Sequence, residues 1–215
     1  ATRFSKQSSA RDAVRAMGRF ARNPELLATY AVGGSVLFSL VAAFTFATYH
    51  LAAPPFGLGT VALGNVFFVY LVGVVVSPLA GRLIDRVGHR IALLLAVATS
   101  AAGVLLMLIP SVAAIVIGLG IMSTGVFASQ AASQGYIGVV VHERRSTAAA
   151  LYLTVYYTAG GLGAVLPAVV WSRGGWPATV ALMLAVQVLA ATIARMLWAR
   201  RARRGGLEAV GVSLS

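Results

Sequence analysis

The stretch Gly81-Arg82-Leu83-Ile84-Asp85-Arg86-Val87-Gly88-His89-Arg90 puts a carboxylate and three arginines into ten residues. On either side of it the chain carries no charge for longer than a membrane is thick. Residues 26–81 and 91–142 contain no Asp, Glu, Lys or Arg, and neither do 146–172 and 174–194. Of the 215 residues 59% are apolar and only 10% charged, with a mean hydropathy of +0.88. Soluble domains have roughly 45–50% apolar and about 25% charged residues. The composition excludes a water-soluble globular domain. Cysteine is absent, which removes disulfides and thiolate metal sites from consideration.

A helix rises 1.5 Å per residue, so a hydrocarbon core about 30 Å thick needs about 20 apolar residues per crossing. Counted in these units, the gaps predict an all-α membrane protein with six transmembrane helices. The first gap is interrupted by Pro54-Pro55-Phe56-Gly57-Leu58-Gly59, where proline removes amide donors and glycine favours a turn. It divides into spans at 26–49 and 61–80. Pro110-Ser111 divides the second into 91–109 and 112–134. The remaining spans are 147–171 and 177–198. The domain reading is a basic cytoplasmic linker at 1–25, a six-helix bundle at 26–199 and a cytoplasmic tail at 200–215.

The formal charge is +12, from 17 basic and 5 acidic residues. In a soluble protein that excess would suggest nucleic acid. With six spans, however, sixteen cations fall on one side: Arg3, Lys6, Arg11, Arg15, Arg19, Arg22, Arg82, Arg86, Arg90, Arg144, Arg145, Arg195, Arg200, Arg201, Arg203 and Arg204. Arg173 alone falls on the other. This is a positive-inside distribution with both termini cytoplasmic, and nucleic acid is excluded as a partner. Val14, Met17 and Phe20 recur at helical spacing opposite Arg11, Arg15, Arg19 and Arg22. That pattern suits an amphipathic helix on anionic lipid, or equally a plain linker. The 1–25 segment lacks the apolar run of a secretory signal.

The 81–90 stretch resembles the loop motif of the major facilitator superfamily, Gly-x-x-x-Asp-Arg-x-Gly-Arg-Arg/Lys. Gly81, Asp85, Arg86, Gly88 and Arg90 match, and His89 departs. In that superfamily the loop joins the second and third helices of each six-helix half, which is its position here. The resemblance implies one half of a two-bundle fold. A basic tether followed by six spans looks like the C-terminal half, its partner being an N-terminal six-helix half. Arg22-Asn23-Pro24-Glu25-Leu26-Leu27, Tyr70-Leu71-Val72-Gly73 and Tyr156-Tyr157-Thr158-Ala159-Gly160-Gly161-Leu162-Gly163 are similar to the multidrug or arabinose-efflux-permease type of proton antiporter. Localisation in a bacterial-type cytoplasmic (inner) membrane follows from the same resemblance.

Physical reasons support these residue types. Glycine at 81 permits close backbone approach, and Gly88 permits the positive dihedrals of a tight reversal. Asp85 can meet a helix N-terminus, worth about 0.3–1 kcal/mol when exposed and about 2 when partly buried, enough to bias a conformational equilibrium without locking it. Arg86 and Arg90 can pair with carboxylates or lipid phosphates. Asp85 as a plain helix cap, with the arginines as topogenic charges, is the alternative. Gly73, Ser77 and Gly81, four apart, form a small face for helix packing.

The resemblance further implies that the first, second, fourth and fifth spans line the solute pathway while the third and sixth pack outside. Candidate lining residues lie on helical stripes: Phe38 and Thr45 on the first span; Ser123, Phe127, Gln130 and Gln134 on the fourth; Tyr152, Tyr156 and Tyr157 on the fifth. Their amides and phenols must face protein or water. Tyr49, Tyr136 and Trp171, near span ends, read as an interfacial belt. Gly160, Gly161 and Gly163 with Pro167 mark a helix able to pack closely and bend.

No acid or base occupies the middle of a span, so any proton-carrying acid belongs to the other half. His50, His89 and His142 lie at span ends or in loops. Intramembrane protease sets and Walker-type glycine loops are absent, so no enzyme activity, cofactor or metal is expected. The expected function is secondary transport by alternating access, exporting a small organic solute that is apolar or weakly polar, with proton coupling through the other half. The competing expectation is a non-transporting membrane module, a dimerising scaffold or partner-dependent subunit.

Overall fold

The computed structural model describes residue 15, residues 17–141 and residues 143–212, with 199–212 described by backbone alone. Val14, His142 and the side chains of the 200–215 tail therefore lie outside the described residues.

Among the described residues, residues 17–20 are helical and five longer α-helical elements follow in order: α1 (Pro24–Ala52), α2 (Thr60–Val66), α3 (Val72–Leu106), α4 (Val112–Val140) and α5 (Arg145–Val212), with a 3₁₀ helix, Phe67–Leu71, between α2 and α3. Among the described residues all regular structure is helical, as the uncharged gaps required. The start of α1 is encoded locally. Asn23 Oδ1 accepts hydrogen bonds from the backbone N–H groups of Glu25 (2.9 Å) and Leu26 (3.3 Å), and Pro24 takes the first turn, where its missing N–H costs nothing. Its end falls at the proline pair, where the Leu58 N–H returns to the Leu51 carbonyl at 2.9 Å.

Four helical segments are long and apolar enough to cross a membrane: Pro24–Ala52, Thr60–Leu106, Val112–Val140 and Arg145–Trp198. The 47-residue and 54-residue segments are the difference from the expected six. The expected turn at 81–90 is helical on both sides of Gly88, which alone departs from helical geometry there (φ 79°, ψ 159°). The boundary between the expected fifth and sixth spans likewise contracts to Gly175 (φ 58°, ψ −146°). Both sit at positive φ, where a side chain is disfavoured and glycine is not. One residue suffices for the break, so hydrogen-bonded turns continue up to it. Helical backbone also continues to Val212, past the expected bundle end at 199.

The expected span at 61–80 is divided, because Phe67-Phe68-Val69-Tyr70-Leu71 adopts the tighter 3₁₀ form. Aromatic and β-branched side chains lose χ1 freedom in an α-helix, and a 3₁₀ stretch within a span is a common hinge.

α1 packs most extensively on α5 and α3 on α4, with α1 against α4 joining the two pairs. The closest approaches are at small residues. A Cβ on Gly103 would overlap the α4 backbone at Gly118 and Met122, and one on Gly125 would overlap the α3 backbone at Ala96 and Ser100. One on Gly163 would overlap the backbone of Phe38. The expected small face of Gly73, Ser77 and Gly81 does not persist. Gly73 sits under the Phe127 ring, but Ser77 is exposed and a Cβ on Gly81 would meet nothing within 4 Å. Spacing supplies a small face, and only a facing partner uses it.

Candidate functional site

Two chains of aromatic contact cross the bundle. In the first, Phe44 of α1 lies 4.7 Å from Tyr70 and 5.5 Å from Phe67, ring centre to ring centre, and Tyr70 meets Phe127 of α4 edge-on at 6.1 Å. In the second, Tyr30 of α1 is 6.4 Å from Tyr152 of α5, Tyr152 stacks on Tyr156 at 5.8 Å, and Tyr156 meets Tyr157 edge-on at 5.4 Å. Such ring geometries are favourable beyond area burial, by about 0.5–1.5 kcal/mol per pair.

The sequence-predicted lining residues divide. Phe127 and Gln130 are half-buried and Gln134 is exposed, whereas Tyr152 and Tyr156 are buried and Tyr157 is 67% exposed. These sit on or beside the aromatic chains. Thr45 is half-buried one residue beyond Phe44. Ser123 is wholly buried, inside the bundle and away from any open face. Phe38 is also buried, and lines an apolar groove of about 240 Å³ with Tyr30, Val155, Ala159, Leu189 and Ile193. Stripe spacing identifies one helix face, and the rotation of that face is decided by packing. Tyr70 and Phe44 were not among the predicted lining residues; at Tyr70 the 3₁₀ stretch breaks the period from which a stripe is read.

Of the small residues on α5, Gly160 seats Leu37 and Gly163 seats the Phe38 backbone, while Gly161 is exposed with open space beside it. Pro167 is buried within α5.

In the charged segment, Asp85, Arg86 and Arg90 are exposed and Gly81 is half-exposed. Ile84 is buried in the core, Val87 packs against it, and His89 is half-buried, its ring 5.9 Å from Tyr136 and its Nε2 against Gly135. Tyr136, expected in an interfacial belt, is buried and stacks on Trp198 at 4.0 Å. So the departure from the motif, His89, joins the segment to the end of α4. At the opposite end of the bundle His50 stacks on Trp176 at 5.1 Å and meets Phe56 and Trp171 edge-on. Tyr49 is exposed there and Trp171 half-buried.

Arg145, read only as a topogenic charge, has a local role. Its guanidinium donates to the carbonyls of Val141 and Gly138, each at 2.9 Å, and so satisfies carbonyls that the end of α4 leaves without helical partners. Among the described residues no group of three His, Cys, Asp or Glu could hold a metal ion.

Residues 12–212 match the Major Facilitator Superfamily. The chain belongs to that family. An uncharacterized transporter of Buchnera aphidicola subsp. Schizaphis graminum (strain Sg) is 30% identical over 155 residues, covering 72% of this chain and 38% of that protein. The uncharacterized MFS-type transporter YybF of Bacillus subtilis (strain 168) is 26% identical over 155 residues, with the same shares. The match thus spans little more than a third of these relatives' length. Superfamily members are transporters and not enzymes, and membership together with the long apolar helices makes this an integral membrane protein.

Proposed function

We propose that this chain is the C-terminal six-crossing half of a secondary transporter that exports a small, apolar or weakly polar organic solute by alternating access. Helices of 47 and 54 residues would extend about 70–80 Å at 1.5 Å per residue, more than twice a hydrocarbon core of about 30 Å. Reversal at Gly88 and Gly175 turns each into two crossings, and the four long segments into six. The termini and the 81–90 segment then share the cytoplasmic side of a bacterial-type inner membrane. The sequence charges support that orientation.

The observation that carries this reading is a pair of aromatic groups, Phe44 with Tyr70 and Phe127, and Tyr156 with Tyr157. They come from α1, the 3₁₀ stretch, α4 and α5, and are left partly open at Tyr157 and Tyr70. Rings and phenols without a charged group suit an organic solute with few polar groups. An N-terminal half facing these groups would close the pathway, and the Asp85 segment would latch the cytoplasmic end when the pathway opens outward. Protons would enter through an acid of that other half.

The test uses the complete protein in proteoliposomes with an imposed proton gradient and a panel of lipophilic fluorescent solutes. Gradient-dependent movement that falls in Asp85→Asn, with folded protein unchanged, is expected. Absence of movement in the complete protein would instead favour a non-transporting membrane module.

A further inference from the structure

α1, α3, α4 and the second part of α5 converge on a small enclosed cavity. Its polar lining is Ser35, Ser100, Ser129 and Gln187, and three valines close it. Gln187 is 5% exposed, and neither its Oε1 nor its Nε2 has a hydrogen-bond partner among the described residues. Ser100 Oγ is equally unpartnered and buried. Ser35 Oγ donates to the Val32 carbonyl at 2.8 Å and keeps lone pairs free to accept.

A buried donor or acceptor without a partner bears its full desolvation cost, and no lipid-side water relieves it at this depth. The Gln187 amide offers two donors and one acceptor, so its complement must both donate and accept. The cavity leaves about 10 Å³ for the centre of a water molecule, about one probe sphere, the space that a single water occupies. A cation would sit there with hydroxyl and amide oxygens alone and no carboxylate, which is costly in a low-dielectric interior.

We propose that this cavity binds one internal water, held by the Gln187 amide and the Ser100 hydroxyl and accepted by Ser35 or Ser129. The water ties the last apolar segment of α5 to α1, α3 and α4. Gln187 then has a defined task on a span that the family resemblance assigns to outer packing.

The experiment is water-edited solid-state NMR on the complete protein in lipid bilayers, with uniform ¹⁵N labelling. The Gln187 side-chain signal is assigned by its loss in Gln187→Leu. Magnetisation should pass from water to the Gln187 Nε2 protons several-fold more efficiently than to the backbone amides of buried Met183 and Ala190. Ser100→Ala, which keeps the fold and removes one hydroxyl, should weaken the transfer. Transfer no stronger than at those backbone amides would overturn the proposal, as would a Gln187 signal unaffected by Ser100→Ala. Neither readout involves transport, so the outcome is independent of the functional reading above.

Discussion

The indole Nε1 of Trp176 donates to the main-chain carbonyl of Met107 across 2.8 Å, with both residues buried. Met107 caps α3, where carbonyls run out of helical partners. Trp176 follows the break in α5 at Gly175. The bond thus fixes the turn within α5 to the end of α3, which lies 69 residues earlier in the chain. Trp176→Phe keeps a ring against His50 and removes the donor. We expect a loss of about 1–3 kcal/mol, the cost of an unsatisfied buried carbonyl, read as a lower midpoint of thermal unfolding in detergent. An unchanged midpoint would show that the bond is not formed in the folded protein.

The two motif glycines separate on geometry. Gly88 holds φ 79° and ψ 159°, whereas Gly81 is helical with open space beside it. Gly88→Ala should lower folded yield, with strain of order 1–3 kcal/mol. Gly81→Ala should match the unaltered protein. Fluorescence-detected size exclusion of the two variants checks this, and equal losses would count against the reversal at Gly88.

A similar contrast distinguishes Gly125 from Gly161. Alanine at 125 collides with the α3 backbone, and at 161 it meets nothing. Gly125→Ala should destabilise by about 1–3 kcal/mol through overpacking. Gly161→Ala should be neutral, or stabilise by up to about 1 kcal/mol through helix propensity. Paired melting curves decide it.

Arg145→Ala should expose the penalty of two freed carbonyls at the end of α4, about 1.5–3 kcal/mol per charge-assisted bond at most and less where water reaches them. Arg145→Lys, which keeps the charge and loses the fork, should recover only part of the stability. Full recovery would reduce Arg145 to a topogenic charge.

For transport by the complete protein, Tyr157→Ala should raise the half-saturating solute concentration. Thr192→Ala should not, because that exposed hydroxyl bonds only to the Val188 carbonyl of its own helix. Equal effects in concentration-dependent uptake would remove the case for the aromatic groups.

Helix class and the break at Pro54-Pro55 were legible because they depend on composition or on residues within a few positions of each other, whereas the first span was read from 26 and its Asn23 cap and Pro24 start were not. The gathering of cations was equally visible as a pattern, since it needs no packing. The single-residue breaks at Gly88 and Gly175 could be placed only to within a loop. A span boundary in the sequence is a change of polarity, and it does not say how many hydrogen bonds continue through it.

The sequence by itself determined that this chain is helical and dissolved in hydrocarbon, because the absence of charge over whole spans leaves no other way to satisfy the backbone. The tertiary structure alone decided which face of each helix turns inward. Gly125 rather than Gly81 meets a backbone, Tyr70 joins Phe44 and Phe127, Ser123 is sealed inside, and Gln187 reaches a polar cavity from a helix that looked peripheral. The reason is that in an apolar chain both inward and outward faces are hydrophobic. Periodicity then carries little information about orientation, and shape complementarity between helices settles it.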